Sequence, residues 1–383
     1  MTSHRIMFLH PSDELYGSDR CLIETVRSLP EGSDALILLP VDLPYRGQLG
    51  TELRSLEADV RNVDLFVARR RTLRPHRSLS TLHALARSIR TVQRIVQDKQ
   101  VNVIFTNTLA IPYGDPLARS LGIPHIWHVH EHIADEPIIF QRALRSLVRA
   151  SRGTIIANSR SVALALAGGD PRLDERIHVI PNGVDTTTFS RGERNANQTP
   201  VIGVVGRLSP RKGTHEAIRA AALLKAHGYR FTLRFVGAPP VDRPELLDFY
   251  RREVEAYQLS AYVEFKGEVT HPAAAYHGLD IALLPSQRPE PFGLVVIEAM
   301  ATGLPVLATR NGGGSDEILQ HEINGLYCGR RPTEIARGLE QLLTDPELAA
   351  GLGRRARYEA RERYDIADYR CRMRALLADA LEH

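Results

Sequence analysis

Short aliphatic or β-branched runs alternate with longer segments of helical period along nearly the whole chain, and the series occurs twice. Repetition of this kind commits a chain to parallel sheets covered by helices on both faces. In the first half the runs are Arg5–Leu9, Ala35–Leu39, Asn62–Val67, Val101–Thr106, His125–Val129 and Thr154–Ala157, with a short Ile177–Ile180 after them. Between them the spacing predicts helices such as Ser80–Gln97, where Leu82, Leu85, Ile89, Val92 and Val96 recur at helical spacing. Residues 190–200 are polar and carry no large apolar side chain, as an exposed linker between two cores does. The second series reads Val201–Val205, Thr232–Val236, Val263–Phe265, Ile281–Leu284, Val306–Ala308 and Gly325–Tyr327. From Thr333 the chain is nearly all helical, with a start at Asp345–Pro346 and a break at Tyr364–Asp365. The expectation is two tandem Rossmann-like α/β domains, 1–189 and 200–364, joined by a linker 190–199. Residues 365–383 form a last helix returning to the first domain.

The 383 residues, 43% hydrophobic and 25% charged, suffice for two full cores and exclude disorder as the main state. Cys21, Cys328 and Cys371 form no Cys-x-x-Cys pair, which fits neither a disulfide framework nor a zinc site and points to a reducing compartment. Ile6–Leu9 is too short for a signal-peptide core, and no run of about 20 apolar residues appears.

The stretch from Leu283 to Val306 is the most informative. A strand enters a Pro-rich loop, and the loop enters a helix predicted to begin near Phe292, with Glu290 before it and Glu298 about two turns along. Free N–H groups at a helix start suit a phosphate, so the pattern suggests a polar ligand site at the carboxyl ends of the strands. The plainer reading is a helix cap and a solvated charge. A second loop, Val204-Val-Gly-Arg-Leu-Ser-Pro-Arg-Lys-Gly213, carries Arg207 and Lys212 five residues apart, and taken alone the pair reads equally well as ordinary surface charge.

Glu290-x7-Glu298 followed by Ala-Met-Ala-x-Gly-x-Pro-Val resembles the signature of family 4 of the retaining glycosyltransferases, whose fold is GT-B, two Rossmann-like domains with a cleft between them. The resemblance implies that Glu298 grips the ribose hydroxyls of a nucleotide and Glu290 contacts the donor sugar. It also implies that the backbone at Phe292, Gly293 and Leu294 holds sugar hydroxyls and the distal phosphate. Arg207 and Lys212 match the family's cationic pair. No Asp-x-Asp occurs, so metal-held diphosphate is not indicated and no cofactor is expected beyond the nucleotide-diphosphate sugar itself.

In Pro124-His-Ile-Trp-His-Val-His-Glu-His132, His128 and His130 share one strand face and His125 takes the other. Metal binding is the less favoured reading, since no Cys or Asp partner is in place. The resemblance implies that a histidine followed by an acid contacts the sugar, which fits His130-Glu131 best. After the first strand, family members carry a Gly-Gly pair. This chain has Gly17 with Ser18 in the second place and Asp19 as the acid, and Asp13 stands nearby as an alternative general base that would imply inversion. Val236-Gly237 and Lys266-Gly-Glu-Val269 end strands where the family places the nucleotide base. Pro181-Asn-Gly-Val-Asp185 reads as a tight turn, and Arg310-Asn-Gly-Gly-Gly-Ser-Asp-Glu317 as a Gly-rich strand-to-helix turn.

The expected activity is therefore metal-independent transfer of a sugar, with retention, from a nucleotide diphosphate to a hydroxyl acceptor, in glycan or glycolipid synthesis. A sugar-nucleotide epimerase and an inactive nucleotide-sugar binding protein are the alternatives. Net charge is only +4, yet nine basic residues between Arg69 and Lys99 face one acid, Asp98. The block reads first as a solvated surface. Its functional reading is contact with an anionic membrane or a lipid-linked acceptor; no motif supports nucleic acid. The expected location is cytoplasmic, at the inner membrane face if that block binds lipid.

Overall fold

A computed structural model describes residues 4–69, 78–189 and 199–382. Residues 190–198 of the expected linker and Arg70, Arg71, Arg74 and Arg77 of the basic block lie outside the described residues. The chain forms two compact units, one running to Pro181 and including the residues from Tyr369 onward, the other Asn182–Asp368.

The first unit contains β1 (His4–Leu9), β2 (Ser33–Pro40), β3 (Asp59–Val63), β4 (Val103–Thr106), β5 (His125–Val129), β6 (Thr154–Ala157) and β7 (Ile177–Val179). All are parallel, in the order β3-β2-β1-β4-β5-β6-β7. Chain direction across the sheet reverses between β1 and β4, and there the loops at the carboxyl ends diverge to leave a crevice. Met7, Leu9, Leu36, Leu38 and Ile104 pack with Val92 and Val96 of the helix Ser78–Lys99, whose buried stripe follows the spacing seen in sequence.

The third strand differs from the sequence expectation of Asn62–Val67. Leu65, Phe66 and Val67 are buried, but they follow the ladder rather than form it, and the Phe66 N–H donates to Ser88 Oγ at 2.9 Å. The paired segment Asp-Val-Arg-Asn-Val lies at the sheet edge, where polar side chains are tolerated, so apolar runs there report burial and not pairing.

The second unit contains β8 (Val201–Val205), β9 (Thr232–Val236), β10 (Val263–Gly267), β11 (Ile281–Leu284), β12 (Val306–Thr309) and β13 (Leu326–Cys328). These too are all parallel, ordered β10-β9-β8-β11-β12-β13, with the reversal between β8 and β11. Alternate residues feed the two faces. Ile281 and Leu283 pack into one helical layer with Leu224 and Leu339, while Ala282 and Leu284 meet Val296 and Met300 in the other. This is the doubly wound parallel architecture expected of two Rossmann-like domains.

Residues 182–189 pack in the second unit. Val184 N–H donates to the Tyr364 carbonyl at 2.9 Å, Val184 bridges Asp365 as an isolated β-pair, and the Phe189 ring sits 5.8 Å from that of Tyr276. Asn182-Gly183 consequently runs extended past Asp365 and makes no tight turn. The tail forms the helices Pro332–Thr344, Pro346–Arg363 and Ile366–Glu382. Within the first unit, Tyr369 OH lies 2.7 Å from Thr25 Oγ1 and Arg370 Nε donates to Glu24 at 2.8 Å, anchoring the last helix to the helix Gly17–Val26.

Candidate functional site

In the second unit the residues singled out in sequence gather around the end of β11 and the helix that follows it. The loop after β8 closes into a single 3₁₀ turn, Pro210–Lys212, because Ser209 caps it and Pro210 fixes the first position. Gly213 then takes φ +72°, and a Cβ there would sit 1.9 Å from the Pro285 carbonyl oxygen, so the loop can cross the end of β11 only with glycine. That crossing delivers Lys212 Nζ to within 2.8 Å of Glu290 Oε2, across 78 residues of sequence. Ser286 Oγ donates to the other carboxylate oxygen at 2.7 Å.

Glu290 is almost wholly buried, at 5% exposure, which pushes its carboxyl upward. Lys212, Arg211 and Ser286 outweigh that and hold it below the usual carboxylate range. It is therefore an anion at neutral pH, aimed by three neighbours rather than left to cap a helix. Its backbone is fixed as well: the Glu290 N–H donates to Asn311 Oδ1 at 3.2 Å, and the Gly314 N–H to the Glu290 carbonyl at 2.7 Å. A Cβ on Gly313 would lie 2.3 Å from that carbonyl oxygen. Close backbone approach, and not turn geometry alone, accounts for glycine in this second Gly-rich segment.

The helix spans Leu294–Thr302, two residues later than the sequence spacing predicts, with Gly293 as N-cap at φ +104°. Phe292 is buried against Tyr364, ring centroids 6.0 Å apart, so only its backbone is available to a ligand. Leu294 is half-buried in the first turn, where N–H groups lack intrahelical partners. Glu298 is 2% exposed and accepts from Tyr276 OH at 2.7 Å. The same hydroxyl lies 3.2 Å from the Val295 carbonyl, which keeps it against the helix that carries Glu298. Sequence reasoning gave no role to Tyr276, Ser286 and Asn311: Ser286 and Asn311 lie unmarked within the two motif segments, and only the fold brings Tyr276 and Asn311 to the two glutamates. Replacing Tyr276 with phenylalanine removes one donor to Glu298, and the expected result is a roughly three- to tenfold loss of nucleotide affinity, read by calorimetry.

Arg207 is half-buried just after β8. Gly237 follows β9, its N–H donating to the Gly267 carbonyl at 2.8 Å, while the Gly206 N–H donates to the Val236 carbonyl at 2.9 Å. The ends of β8, β9 and β10 are thus knitted together beside the Arg207 loop. Val269 is partly buried against the core beneath Val296 and Met300.

In the first unit His130 lies just beyond β5. Its Nε2 is 2.9 Å from Asn107 Oδ1, and its ring centroid is 4.0 Å from that of His128. Burial, with a smaller push from His10 and an opposing pull from Asp19, brings His130 down to about 3, so the imidazole is neutral at physiological pH. His128 is fully buried with no hydrogen bond to either ring nitrogen and its edge against Phe105; burial holds it well below the ordinary histidine range. His125 Nε2 pairs instead with Thr106 Oγ1 at 2.8 Å. The three histidines serve three different partners. Among the described residues no group of three His, Cys, Asp or Glu side chains is placed to hold a metal ion.

Glu131 is held by Thr108 Oγ1 and by the backbone N–H of Leu109 at 3.2 Å, and burial raises its carboxyl against those bonds. Asp13 accepts from Gly50 N at 2.7 Å and Asn62 Nδ2 at 3.1 Å. These bonds tie Asp13 to the helix Gln48–Ser55 and to β3. Gly17 opens the first helix, and a Cβ there would meet nothing within 4 Å. Asp19 caps that helix by accepting from the Tyr16 N–H at 2.8 Å.

Residues 185–359 match the sequence family described as glycosyl transferases group 1, and residues 48–188 that described as glycosyltransferase family 4. D-inositol 3-phosphate glycosyltransferase of Stackebrandtia nassauensis is 30% identical over 267 residues, covering 61% of this chain and 59% of its own. Glycogen synthase of Mycobacterium tuberculosis is 31% identical over 234 residues, 58% of this chain and 55% of its own. The chain thus spans under two thirds of the length of these relatives. Among solved structures, Anabaena Alr3699/HepE in complex with UDP and glucose superposes with a TM-score of 0.81 at 24% identity, covering 98% of this chain and all of that one. The chain is a GT-B protein related to family 4 of the glycosyltransferases.

Proposed function

We propose that the protein is a retaining, metal-independent glycosyltransferase that moves a sugar from a nucleotide diphosphate to a hydroxyl acceptor. The observation that carries this reading is the constellation at the end of β11, where Lys212 and Ser286 grip Glu290 ahead of a helix on which Tyr276 grips Glu298. In that reading Glu298 holds the ribose, Glu290 orients the sugar, and the free N–H groups from Gly293 onward face the distal phosphate. Arg207 and Lys212 stabilise the charge that builds on the diphosphate as the glycosidic bond breaks. Departing phosphate takes the acceptor proton on the same face of the sugar, so no protein nucleophile is needed and configuration is retained. UDP-hexoses are the first donors to try, since HepE was solved with UDP and glucose.

The test is transfer in EDTA, with the anomeric configuration of product followed by proton NMR as it forms. Acceptor-dependent release of nucleotide with retention supports the reading. Interconversion of the donor without an acceptor would instead establish an epimerase, and tight donor binding without turnover a binding protein.

The acceptor we propose is lipid-linked and met at an anionic membrane surface. Support comes from the helix Ser78–Lys99, where Leu79 and Leu82 are exposed at 74% and 61% and Arg90 and Arg94 lie on the same outward face, with Arg87 beside them in an exposed pair with Asp64 at 3.3 Å. An apolar edge beside arginines suits an interfacial helix. Arg69 is engaged elsewhere, pairing with Asp42 at 2.7 Å and donating to the Pro11 carbonyl, so it does not belong to that surface. No helix among the described residues is long and apolar enough to cross a membrane. Sedimentation with phosphatidylglycerol vesicles should carry the protein down at low salt and release it at high salt, and Arg87→Glu with Arg90→Glu should abolish binding. Equal sedimentation with neutral vesicles would contradict the proposal.

A further inference from the structure

A continuous line of buried polar groups runs from the cap of the first helix to His130. Ser12 Oγ and His10 Nε2 both meet Asp19 Oδ1, the histidine at 2.7 Å. His10 Nδ1 lies 2.9 Å from Asn107 Nδ2, and Asn107 Oδ1 lies 2.9 Å from His130 Nε2. His10, Asp19 and Asn107 are all fully buried, so water does not compete for these bonds.

The polarity of the line follows from elementary donor and acceptor rules. The Asp19 carboxylate accepts, as the Tyr16 N–H and the Ser12 hydroxyl require, so His10 donates from Nε2 and its Nδ1 carries a lone pair. Asn107 therefore turns its amide nitrogen toward His10. The same nitrogen is 3.5 Å from the Ser18 carbonyl, which can only accept, and this favours the same orientation. Asn107 Oδ1 is then left facing His130, and His130 must donate from Nε2. Its Nδ1, which makes no hydrogen bond with any described residue, is a bare lone pair.

We propose that Asp19, His10 and Asn107 are positioning residues whose hydrogen-bond relay fixes His130 as the imidazole protonated on Nε2, so that Nδ1 accepts a hydrogen bond from a hydroxyl of a ligand bound at the carboxyl edge of the first unit. The second half of this statement rests on the glycosyltransferase reading; the first half does not. A ligand bearing a hydroxyl at that point is accepted. One presenting only a carboxylate or carbonyl oxygen there meets lone pair with lone pair and is disfavoured.

The relay predicts what happens when its anchor is changed. In Asp19→Asn the Tyr16 N–H still demands an oxygen, so the new amide nitrogen faces His10 Nε2. His10 must then carry its proton on Nδ1, Asn107 must rotate its amide, and His130 must move its proton to Nδ1. In Asn107→Asp, by contrast, a carboxylate faces His130 and keeps the proton on Nε2, with His10 taking a second proton between two acids.

Full-length protein with ¹⁵N-labelled histidine tests this by ring-nitrogen NMR, the His130 signals being assigned by their loss in His130→Gln. The wild type should show the protonated-type resonance at Nε2, Asp19→Asn should exchange it to Nδ1, and Asn107→Asp should leave it at Nε2. Protonation of wild-type His130 on Nδ1 or on both nitrogens would overturn the proposal without any variant, so a failure of Asp19→Asn to fold does not protect it. With donor and acceptor in hand, Asp19→Asn should lower kcat/KM about tenfold, with Asn107→Asp closer to wild type. The expected resonances with unchanged transfer would overturn the role given to Nδ1. Absence of transfer in the wild type would overturn the glycosyltransferase reading and leave the relay decided by the resonances.

Discussion

Lys212→Ala is expected to lower kcat by about 100- to 1,000-fold while raising the donor KM far less. Two effects combine in that number. In the proposed function the ammonium stabilises charge that develops on the leaving diphosphate, an interaction stronger in the transition state than before it. It is also the nearest cation to a carboxylate that the fold has buried, 2.8 Å away. Without it burial is opposed more weakly, by Arg211 and Ser286, so the Glu290 carboxyl rises and loses its aim. Lys212 and Glu290 consequently act as one unit, and the double variant Lys212→Ala/Glu290→Ala should be little worse than the poorer single. Steady-state kinetics on the three variants measures this directly; additive losses would mean that the pair is coincidental.

Glu298→Ala is expected to act on binding instead. A carboxylate that accepts from two ribose hydroxyls contributes about 2 kcal/mol or more, so nucleotide affinity should fall roughly thirtyfold with kcat changed much less. The structure explains why such a residue can wait buried without ligand: Tyr276 supplies one donor at 2.7 Å. Glu298→Gln keeps an acceptor and the tyrosine bond and should lose less than alanine does. Calorimetric titration with UDP, GDP, ADP and dTDP separates the two outcomes.

Much of the fold was legible because parallel strands buried on both faces announce themselves as apolar runs. β5, β6, β8, β9 and β11 fall on the residues that spacing alone picks out. β3 does not, since an edge strand of two valines among Asp, Arg and Asn has a weak apolar signature and the buried residues after it a strong one. The two glutamates were legible for another reason, being packed into one continuous strand–loop–helix segment. Their supports were not. Tyr276 and Asn311 lie 22 and 21 residues from the glutamates they support, Ser286 sits four residues before Glu290 with nothing in the loop to mark it, and the His10–Asn107 contact joins residues 97 apart. A motif read along the chain carries no information on such partners.

The central claim is that the second unit holds a sugar nucleotide through Glu298 and Glu290 without a metal. Thermal denaturation in EDTA, with UDP-, GDP-, ADP- and dTDP-sugars added in turn to the wild type and to Glu298→Ala, tests it most directly. The account predicts that one nucleotide class raises the wild-type Tm and that the rise is lost in Glu298→Ala. A shift of equal size in both proteins, or none with any donor, would contradict it.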